Sequence, residues 1–156
     1  MVEITTKIFG QIAVEDDKII HFDNGILGFP TLQDFTLIYD IDKGNDAAIK
    51  WLQSLQEPAF AMPVMNPELV VAGFSPKFQR ELLAPLGDNL NSDSILMFVT
   101  VTIPKNDITK TTVNLKAPII VSIDNRKAVQ LINDDEAYSV KYAIYDILQA
   151  RKKEGE

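Results

Sequence analysis

The residues that could do chemistry in this chain of 156 residues are one histidine and two acidic clusters. His21 lies in a strand-like run, and a lone histidine in such a place is more often a structural residue than a general base. The acidic clusters are 15–17 and 134–136. Their carboxylates could in principle hold a hard cation, but neither cluster has the ligand alternation and the glycine of a calcium loop. We therefore expect a solvated turn at each cluster.

The sequence contains none of the common enzyme motifs. It has no cysteine, which excludes disulfides, thiolate zinc sites and cysteine nucleophiles. It also has no G-x-S-x-G elbow, no H-E-x-x-H pair and no glycine-rich phosphate loop. We expect no catalytic site, no cofactor and no metal. A small barrel enzyme that uses two close carboxylates in a pocket remains an alternative.

Charge and aromatic pattern restrict the partners. Fifteen basic and 22 acidic residues give a net charge of −7, which argues against direct binding to nucleic acid or to an anionic membrane. The aromatic residues fall at apolar-periodic positions, which indicates core; a carbohydrate- or nucleotide-binding barrel would need them exposed. The start of the sequence lacks a signal pattern and no apolar run reaches membrane-spanning length, so we expect a cytoplasmic protein.

Many short β-branched or alternating runs predict an all-β dominated domain, an antiparallel barrel or sandwich. The predicted strands are 3–9, 11–14, 19–22, 35–41, 49–55, 60–65, 95–103, 108–115, 119–123 and 129–132. The clearest strand reads ILMFVTVTI. Its odd-numbered residues, Val99, Val101 and Ile103 among them, are predicted to line the core face, whereas Thr100 and Thr102 mark a partly solvated face.

One or two short helices are predicted. The first has Ser75 as its N-cap and ends at Pro85 and Gly87, and the second covers 143–153. Their predicted apolar faces consist of Phe78 and Leu82 in the first helix and Ile144, Ile147 and Leu148 in the second. Without repeats, low-complexity tracts or linkers, residues 1–156 are predicted to form a single domain.

Three loops have sequences that are more specific than a simple connection between strands requires. In FDNGILGFP (22–30), two glycines surround Ile26 and Leu27, and Phe29 follows. We favour an apolar tip packed into a barrel end, with a contact surface for a partner as the alternative. WLQSLQEPAF (51–60) and TVNLKAP (112–118) raise the same choice.

The stretch TTVNLKAPIIVS is best interpreted as a corner between two strands. Pro118 cannot donate to a β-ladder, so it belongs at an edge, a strand start or a bulge, and it keeps Ala117 extended. The side chain of Asn114 is predicted to bond nearby backbone groups. The pattern therefore predicts a corner at a barrel rim, with partner contact as a secondary role.

Four motifs in order, HFDNGILGF, WLQSLQEPAFAMPVMNP, TVNLKAPIIV and VQLI, resemble the family of the flagellar assembly factor FliW. The resemblance runs from about residue 3 to residue 145 and implies a strand-rich, barrel-like fold and a regulator that is not an enzyme. FliW-like proteins bind flagellin in the cytoplasm and bind the RNA-binding translational repressor CsrA, so the resemblance implies these two partners.

For such a regulator, the candidate partner-binding residues lie in two loops and one acidic cluster. They are Asn24, Ile26, Leu27, Phe29, Asn114, Lys116, Asp134, Asp135 and Glu136. An acidic protein docked near an RNA-binding surface would place like charge beside the phosphate path and would repel RNA.

Overall fold

The fold is built from short strands. It is seen in a computed structural model that describes residues 1–38, 49–77, 80–87 and 94–154. The strands are β1 (Val2–Thr6), β2 (Gly10–Val14), β3 (Ile20–Phe22), β4 (Asp34–Ile38), β5 (Lys50–Ser54), β6 (Ala61–Met65), β7 (Ile95–Thr102), β8 (Thr112–Val113), β9 (Ile119–Ser122), β10 (Lys127–Gln130) and β11 (Tyr142–Ala143). The α-helix α1 covers Tyr145–Glu154, and 3₁₀ helices cover Asp16–Lys18, Pro67–Leu69, Arg80–Leu86 and Ile108–Lys110.

Seven of these strands close into a barrel. Their order is β7-β6-β5-β4-β3-β10-β9, and β9 pairs back onto β7 with Ile119 opposite Phe98. Every neighbouring pair is antiparallel except β3 and β10, which run parallel with His21 opposite Lys127. The prediction of an all-β, barrel-like fold is therefore confirmed.

Apolar side chains fill the barrel interior. Phe22 and Phe35 pack edge to face with their ring centroids 5.4 Å apart. The other buried members of this cluster are Ile20, Ile26, Leu52, Val64, Phe98, Ile119, Val121 and Ala128. Because side chains alternate between the two faces of a strand, every second residue points inward, and such an interior is typical of small barrels.

A second core covers the outer face of the barrel wall at β7. Val99 and Val101 are buried there together with Ile144, and the half-buried Ile147 and Leu148 of α1 pack against them. The prediction that Val99 and Val101 are buried is confirmed. The face of β7 that carries Val99 and Val101 is, however, the outer face of the barrel, because the barrel closes around the face that carries Phe98.

The predicted core face of β7 was wrong at one end. Ile103 is 38% exposed because the strand stops at Thr102, ahead of Pro104. Phe98, on the face that was predicted to be partly solvated, is buried in the barrel interior. On that same face Thr100 is half-buried and Thr102 is exposed, as predicted.

The first predicted helix was wrong in its start and its buried face. The helix covers Arg80–Leu86 and contains Pro85, while Phe78 lies outside the described residues. A 3₁₀ helix repeats every three residues, so Leu83 and Leu86 share the side that packs on β10. Leu82 lies beside that packed side and is 45% exposed.

The predicted strand 108–115 was also largely wrong. The Oδ1 atom of Asp107 accepts a hydrogen bond from Thr109 N–H at 3.0 Å, which caps a 3₁₀ turn over Ile108–Lys110. Only Thr112–Val113 is then left to pair with β7 as strand β8. The end of the predicted strand 35–41 falls outside the described residues.

The C-terminal part of the protein follows the prediction with small changes. The helix begins at Tyr145, two residues later than predicted, and Ile144 just before it is fully buried. Strand β11, which was not predicted, pairs with β8. Among the described residues, no helix combines the length and the hydropathy that crossing a membrane would require.

Candidate functional site

The glycine loop (residues 23–30) presents two apolar side chains to solvent. Gly25 has φ +67°, and a Cβ atom there would lie 2.5 Å from the carbonyl oxygen of Pro30, so glycine is required. Ile26 is buried in the barrel end, whereas Leu27 is 47% and Phe29 46% exposed. The loop therefore has one apolar residue packed into the barrel end, as the favoured interpretation expected, and two apolar residues at the surface; contact with a partner stays a prediction. Ile26 itself is not accessible to a partner.

The corner (residues 114–118) is a large bulge in one long strand. Val113 pairs with Val101 and Ile119 pairs with Phe98, so the five residues 114–118 lie opposite only two residues of β7. Such an insertion bends a strand and takes its residues out of the ladder. Pro118 directly precedes β9, where its missing N–H costs least.

Asn114 and Lys116 are both half-buried in this corner. The Oδ1 atom of Asn114 accepts a hydrogen bond from Lys116 N–H at 2.9 Å, as predicted for a turn-stabilising amide. The Lys116 ammonium donates to the backbone carbonyl oxygen of Asp135 at 3.2 Å. The structure thus brings together two segments that were predicted separately, the corner and the acidic segment (Asp134, Asp135 and Glu136).

The acidic segment is only partly exposed. Asp134 and Glu136 are exposed, whereas Asp135 is half-buried and lies 3.8 Å from the ammonium of Lys77. The contacts of Asp135 with Lys77 and Lys116 reduce the local negative charge at that residue. In the acidic segment, Asp134 and Glu136 are therefore the carboxylates exposed to solvent.

Asn133 joins three parts of the protein at this place. It is fully buried, and its Oδ1 atom accepts hydrogen bonds from Lys77 N–H at 2.9 Å and from Asp135 N–H at 3.0 Å. Its Nδ2 atom donates to the carbonyl oxygen of Leu115 at 3.2 Å. Sequence reasoning missed Asn133. The signal was an amide at the end of the apolar run VQLIN, where a buried amide must find partners.

Gln130 was missed as well, and it connects the glycine loop to the corner. Its Oε1 atom accepts a hydrogen bond from Leu27 N–H at 2.9 Å, and its Nε2 atom donates to the carbonyl oxygen of Ala117 at 3.1 Å. Beside it lies a cleft of about 160 Å³, bordered by the exposed Asn24 and by Leu82. Three of the predicted site residues, Asn24, Ile26 and Leu27, thus border one cleft at β10, and Gln130 links Leu27 to the corner.

His21 has the structural role that its position predicts. Its Nδ1 atom lies 2.7 Å from Asp34 Oδ1, and its Nε2 atom lies 3.2 Å from Asp23 Oδ1. Asp23 in turn lies 3.5 Å from the ammonium of Lys127. These contacts tie β3 to β4, to β10 and to the first residue of the glycine loop.

The other acidic cluster, 15–17, lies next to the first residue. The Met1 ammonium donates a hydrogen bond to Asp16 Oδ1 at 3.0 Å. That hydrogen bond and the charge of Asp16 raise the pKa of the Met1 amine. Glu15, Asp16 and Asp17 are all exposed, as expected for a solvated turn.

Two features bear on the alternative functions and can be looked for in the described residues. Across 1–38, 49–77, 80–87 and 94–154, no three or more histidine and carboxylate side chains are grouped to hold a metal. In the same ranges Phe29 is the only exposed aromatic residue, whereas base or sugar stacking needs several. The exposed features described above are apolar and charged side chains of loops.

The chain is similar over nearly its whole length to known proteins. A model of the FliW protein family matches residues 3–144. The flagellar assembly factor FliW of Lachnospira eligens is 49% identical over 147 residues, which make up 94% of this chain and 97% of that protein. The one of Lachnoclostridium phytofermentans is 43% identical over 155 residues, 98% of each protein.

The fold is similar as well. A crystal structure of the flagellar assembly factor FliW superimposes with a TM-score of 0.81 at 24% sequence identity, covering 92% of this chain and 97% of that one. That likeness concerns the barrel and its connections. The match of the family model and the identities of the two relatives show that this chain belongs to the FliW family of flagellar assembly factors.

Proposed function

We propose that this protein is a non-enzymatic flagellar assembly factor, a single domain over residues 1–156, that works in the cytoplasm by partner switching. Its partners are flagellin and the RNA-binding translational repressor CsrA. Unsecreted flagellin occupies the protein and leaves the repressor free to silence flagellin mRNA. After flagellin is exported, the protein sequesters the repressor and translation resumes. Membership of the FliW family carries this proposal.

The exposed apolar side chains of the glycine loop support a protein-binding role. Leu27 and Phe29 project from a loop that is anchored by the buried side chain of Ile26. The two glycines of the loop adopt positive φ angles, which set its conformation. Phe29 also packs against Phe60, with ring centroids 4.9 Å apart. Loops held by a rigid β scaffold are common binding sites, and aromatic side chains often contribute much of the binding energy.

The charge of the protein supports antagonism of an RNA-binding partner. A net charge of −7 disfavours direct binding of nucleic acid. Asp134 and Glu136 are exposed beside the corner, so a partner docked there would carry additional negative charge near its own surface. Repulsion of phosphates by such charge needs no mimicry of RNA and acts within about 8 Å at physiological salt.

A three-component titration tests the proposal. The complex of this protein with the repressor is formed first, and flagellin is then added while free repressor is measured by its binding to labelled flagellin mRNA. We expect flagellin to release the repressor and to restore RNA binding. Co-elution of all three proteins as a stable ternary complex would contradict partner switching. Failure of this protein to bind either partner would refute the whole proposal.

A further inference from the structure

We propose that Asn24 is a site of spontaneous deamidation, which the folded glycine loop restrains and which opening of the loop allows. Asparagine is one of the thermolabile residues of proteins. Of the asparagines in this sequence, only Asn24 is followed by glycine. The proposal concerns the chemistry of the loop and does not depend on which partner the protein binds.

The reaction is an intramolecular substitution that consumes only water. The backbone nitrogen of Gly25 loses its proton to solvent and attacks the Cγ atom of Asn24. The new N–Cγ bond closes a succinimide ring, and the Cγ–Nδ2 bond breaks to release ammonia, which takes a proton from solvent. Water then opens the ring. Attack at Cγ leaves aspartate in an ordinary backbone, whereas attack at the backbone carbonyl leaves isoaspartate, in which the main chain runs through the side chain.

The position of Asn24 favours this reaction over the same reaction at other asparagines. Asn24 is exposed, and the glycine that follows it has no Cβ atom to shield the attacking nitrogen. Asn106 and Asn125 are also exposed, but they precede Asp107 and Arg126, whose side chains hinder the approach of the nitrogen. We therefore expect Asn24 to be the most reactive of the three when the chain is unfolded.

The folded loop holds the attacking nitrogen in a hydrogen bond. Gly25 is buried, and its N–H donates to the carbonyl oxygen of Phe22 at 3.0 Å, which closes a turn. Within that turn the carbonyl oxygen of Asp23 accepts a hydrogen bond from the Nε2 atom of Gln33 at 2.8 Å. For the nitrogen to attack, its hydrogen bond must open and the backbone before it must rotate, which the buried side chain of Ile26 opposes. The rate in the folded protein should therefore follow local opening of the loop.

The two products would change the loop. Either product adds a carboxylate next to Asp23, which already lies 3.2 Å from His21 Nε2 and 3.5 Å from the ammonium of Lys127. Isoaspartate also adds an atom to the main chain directly before Gly25, where a Cβ atom would lie 2.5 Å from the carbonyl oxygen of Pro30. Deamidation should therefore displace the loop and the apolar side chains that it exposes.

Incubation of the purified protein tests the proposal, with one sample folded and one in guanidinium chloride at the same pH and temperature. Mass spectrometry of peptides measures the conversion of each asparagine to aspartate or isoaspartate over time. Asn106 and Asn125 are the internal references in both samples, because they are exposed and are not followed by glycine.

Three variants separate the chemistry from the restraint. Gly25→Ala places a Cβ atom beside the attacking nitrogen, and its rate in denaturant is informative whether or not this variant folds. Gln33→Met has a similar length and lacks the hydrogen bond to the carbonyl oxygen of Asp23. Gln11→Met, at an exposed position of β2, is the matched control for Gln33→Met.

In denaturant, Asn24 should convert faster than both reference asparagines, and Gly25→Ala should lower its rate. In the folded wild type, Asn24 should convert at least about twofold more slowly than in denaturant, because one ordinary hydrogen bond lowers the population of the open state by about two- to twelvefold. Gln33→Met should raise the rate at Asn24 in the folded protein, and Gln11→Met should leave it unchanged.

Conversion of Asn24 in denaturant that is no faster than at the two references would overturn the proposal, as would an unaltered rate in Gly25→Ala. A folded rate less than about twofold below the denatured rate would overturn the restraint by the loop. Equal folded rates in Gln33→Met and Gln11→Met would do the same, because the restraint would then not come from this turn. No partner enters the experiment, so its failure is distinct from a failure of the proposed function.

Discussion

Asn133 connects three segments through one buried amide, so its replacement by alanine should destabilise the protein strongly. The side chain is fully buried and makes three hydrogen bonds, to Lys77 N–H, Asp135 N–H and the carbonyl of Leu115. Alanine at this position would remove all three bonds and would leave a small cavity. The cost depends on which of the three groups water can then reach.

Losing the hydrogen bond to the Leu115 carbonyl should lower the stability most, because Leu115 is 1% exposed and its oxygen would be left without this partner. Leaving such a group unpaired costs about 1–3 kcal/mol. Lys77 is exposed and Asp135 half-buried, so water can replace the bonds to their N–H groups, and each loss counts about 0.5–1.5 kcal/mol. We therefore expect Asn133→Ala to lower the free energy of unfolding by about 2–6 kcal/mol.

Urea unfolding followed by fluorescence gives this difference from the midpoint and slope of the transition. Asn114→Ala is the matched control, because Asn114 is half-buried and makes one bond, to Lys116 N–H. We expect the control to lose about 0.5–1.5 kcal/mol. Equal losses in the two variants would refute the reasoning, since Asn133 would then not be acting as a buried junction.

Four further substitutions and one salt series test other parts of the structure. Val99→Asp should bury an unpaired charge and unfold the domain, whereas Thr100→Asp should be far milder; comparable drops in melting temperature would show that burial at β7 was misassigned. Gly25→Ala should cost at least about 1–2 kcal/mol and weaken partner binding, because φ is +67° and the added Cβ meets backbone; wild-type stability would contradict the loop geometry. Because the pKa of the Met1 amine is raised, the pairing of this amine with Asp16 stabilises the folded protein fully below the ordinary amine pKa, and this stabilisation is lost as the pH rises through the raised pKa. Asp16→Asn should lower the pKa of the Met1 amine, which is measured from the pH dependence of amine acylation. The affinity of the repressor for RNA without this protein, divided by its affinity with this protein, should fall between physiological salt and 1 M, because the Debye length falls from about 8 to 3 Å. At low salt the same ratio should fall when the two exposed carboxylates of the acidic segment are neutralised. A ratio that does not depend on salt would indicate steric blockage.

The sequence predicted the strands well because alternation is a local property. Val99 and Val101 were correctly expected to be buried, but alternation cannot say whether a buried face looks into a barrel or out towards a covering helix. That distinction depends on closure between β7 and β9. In the same way, the prediction for the Arg80–Leu86 helix assumed the 3.6-residue repeat of an α-helix and placed Leu82 on the buried side. The three-residue repeat of the 3₁₀ helix places Leu86 there instead.

For the candidate site, sequence reasoning found the loops and missed the residues that join them. The glycines and Pro118 marked the glycine loop and the corner, because such residues have local conformational consequences. Gln130 and Asn133 form their hydrogen bonds with positions far away in the sequence. Nothing in their neighbouring residues reveals those partners, although a polar amide in an apolar run indicates that partners must exist.

The parallel pair β3 and β10 also has a consequence for how the protein is made. Its two strands lie more than a hundred residues apart in sequence, with His21 opposite Lys127. During synthesis the barrel therefore cannot close until β10 has left the ribosome, and until then β3 keeps one side without its neighbour. Pairings over such a separation form slowly, and unpaired strand edges promote aggregation. Nascent chains that stall before residue 127 should be the aggregation-prone species, and the barrel should close only after β10 has emerged.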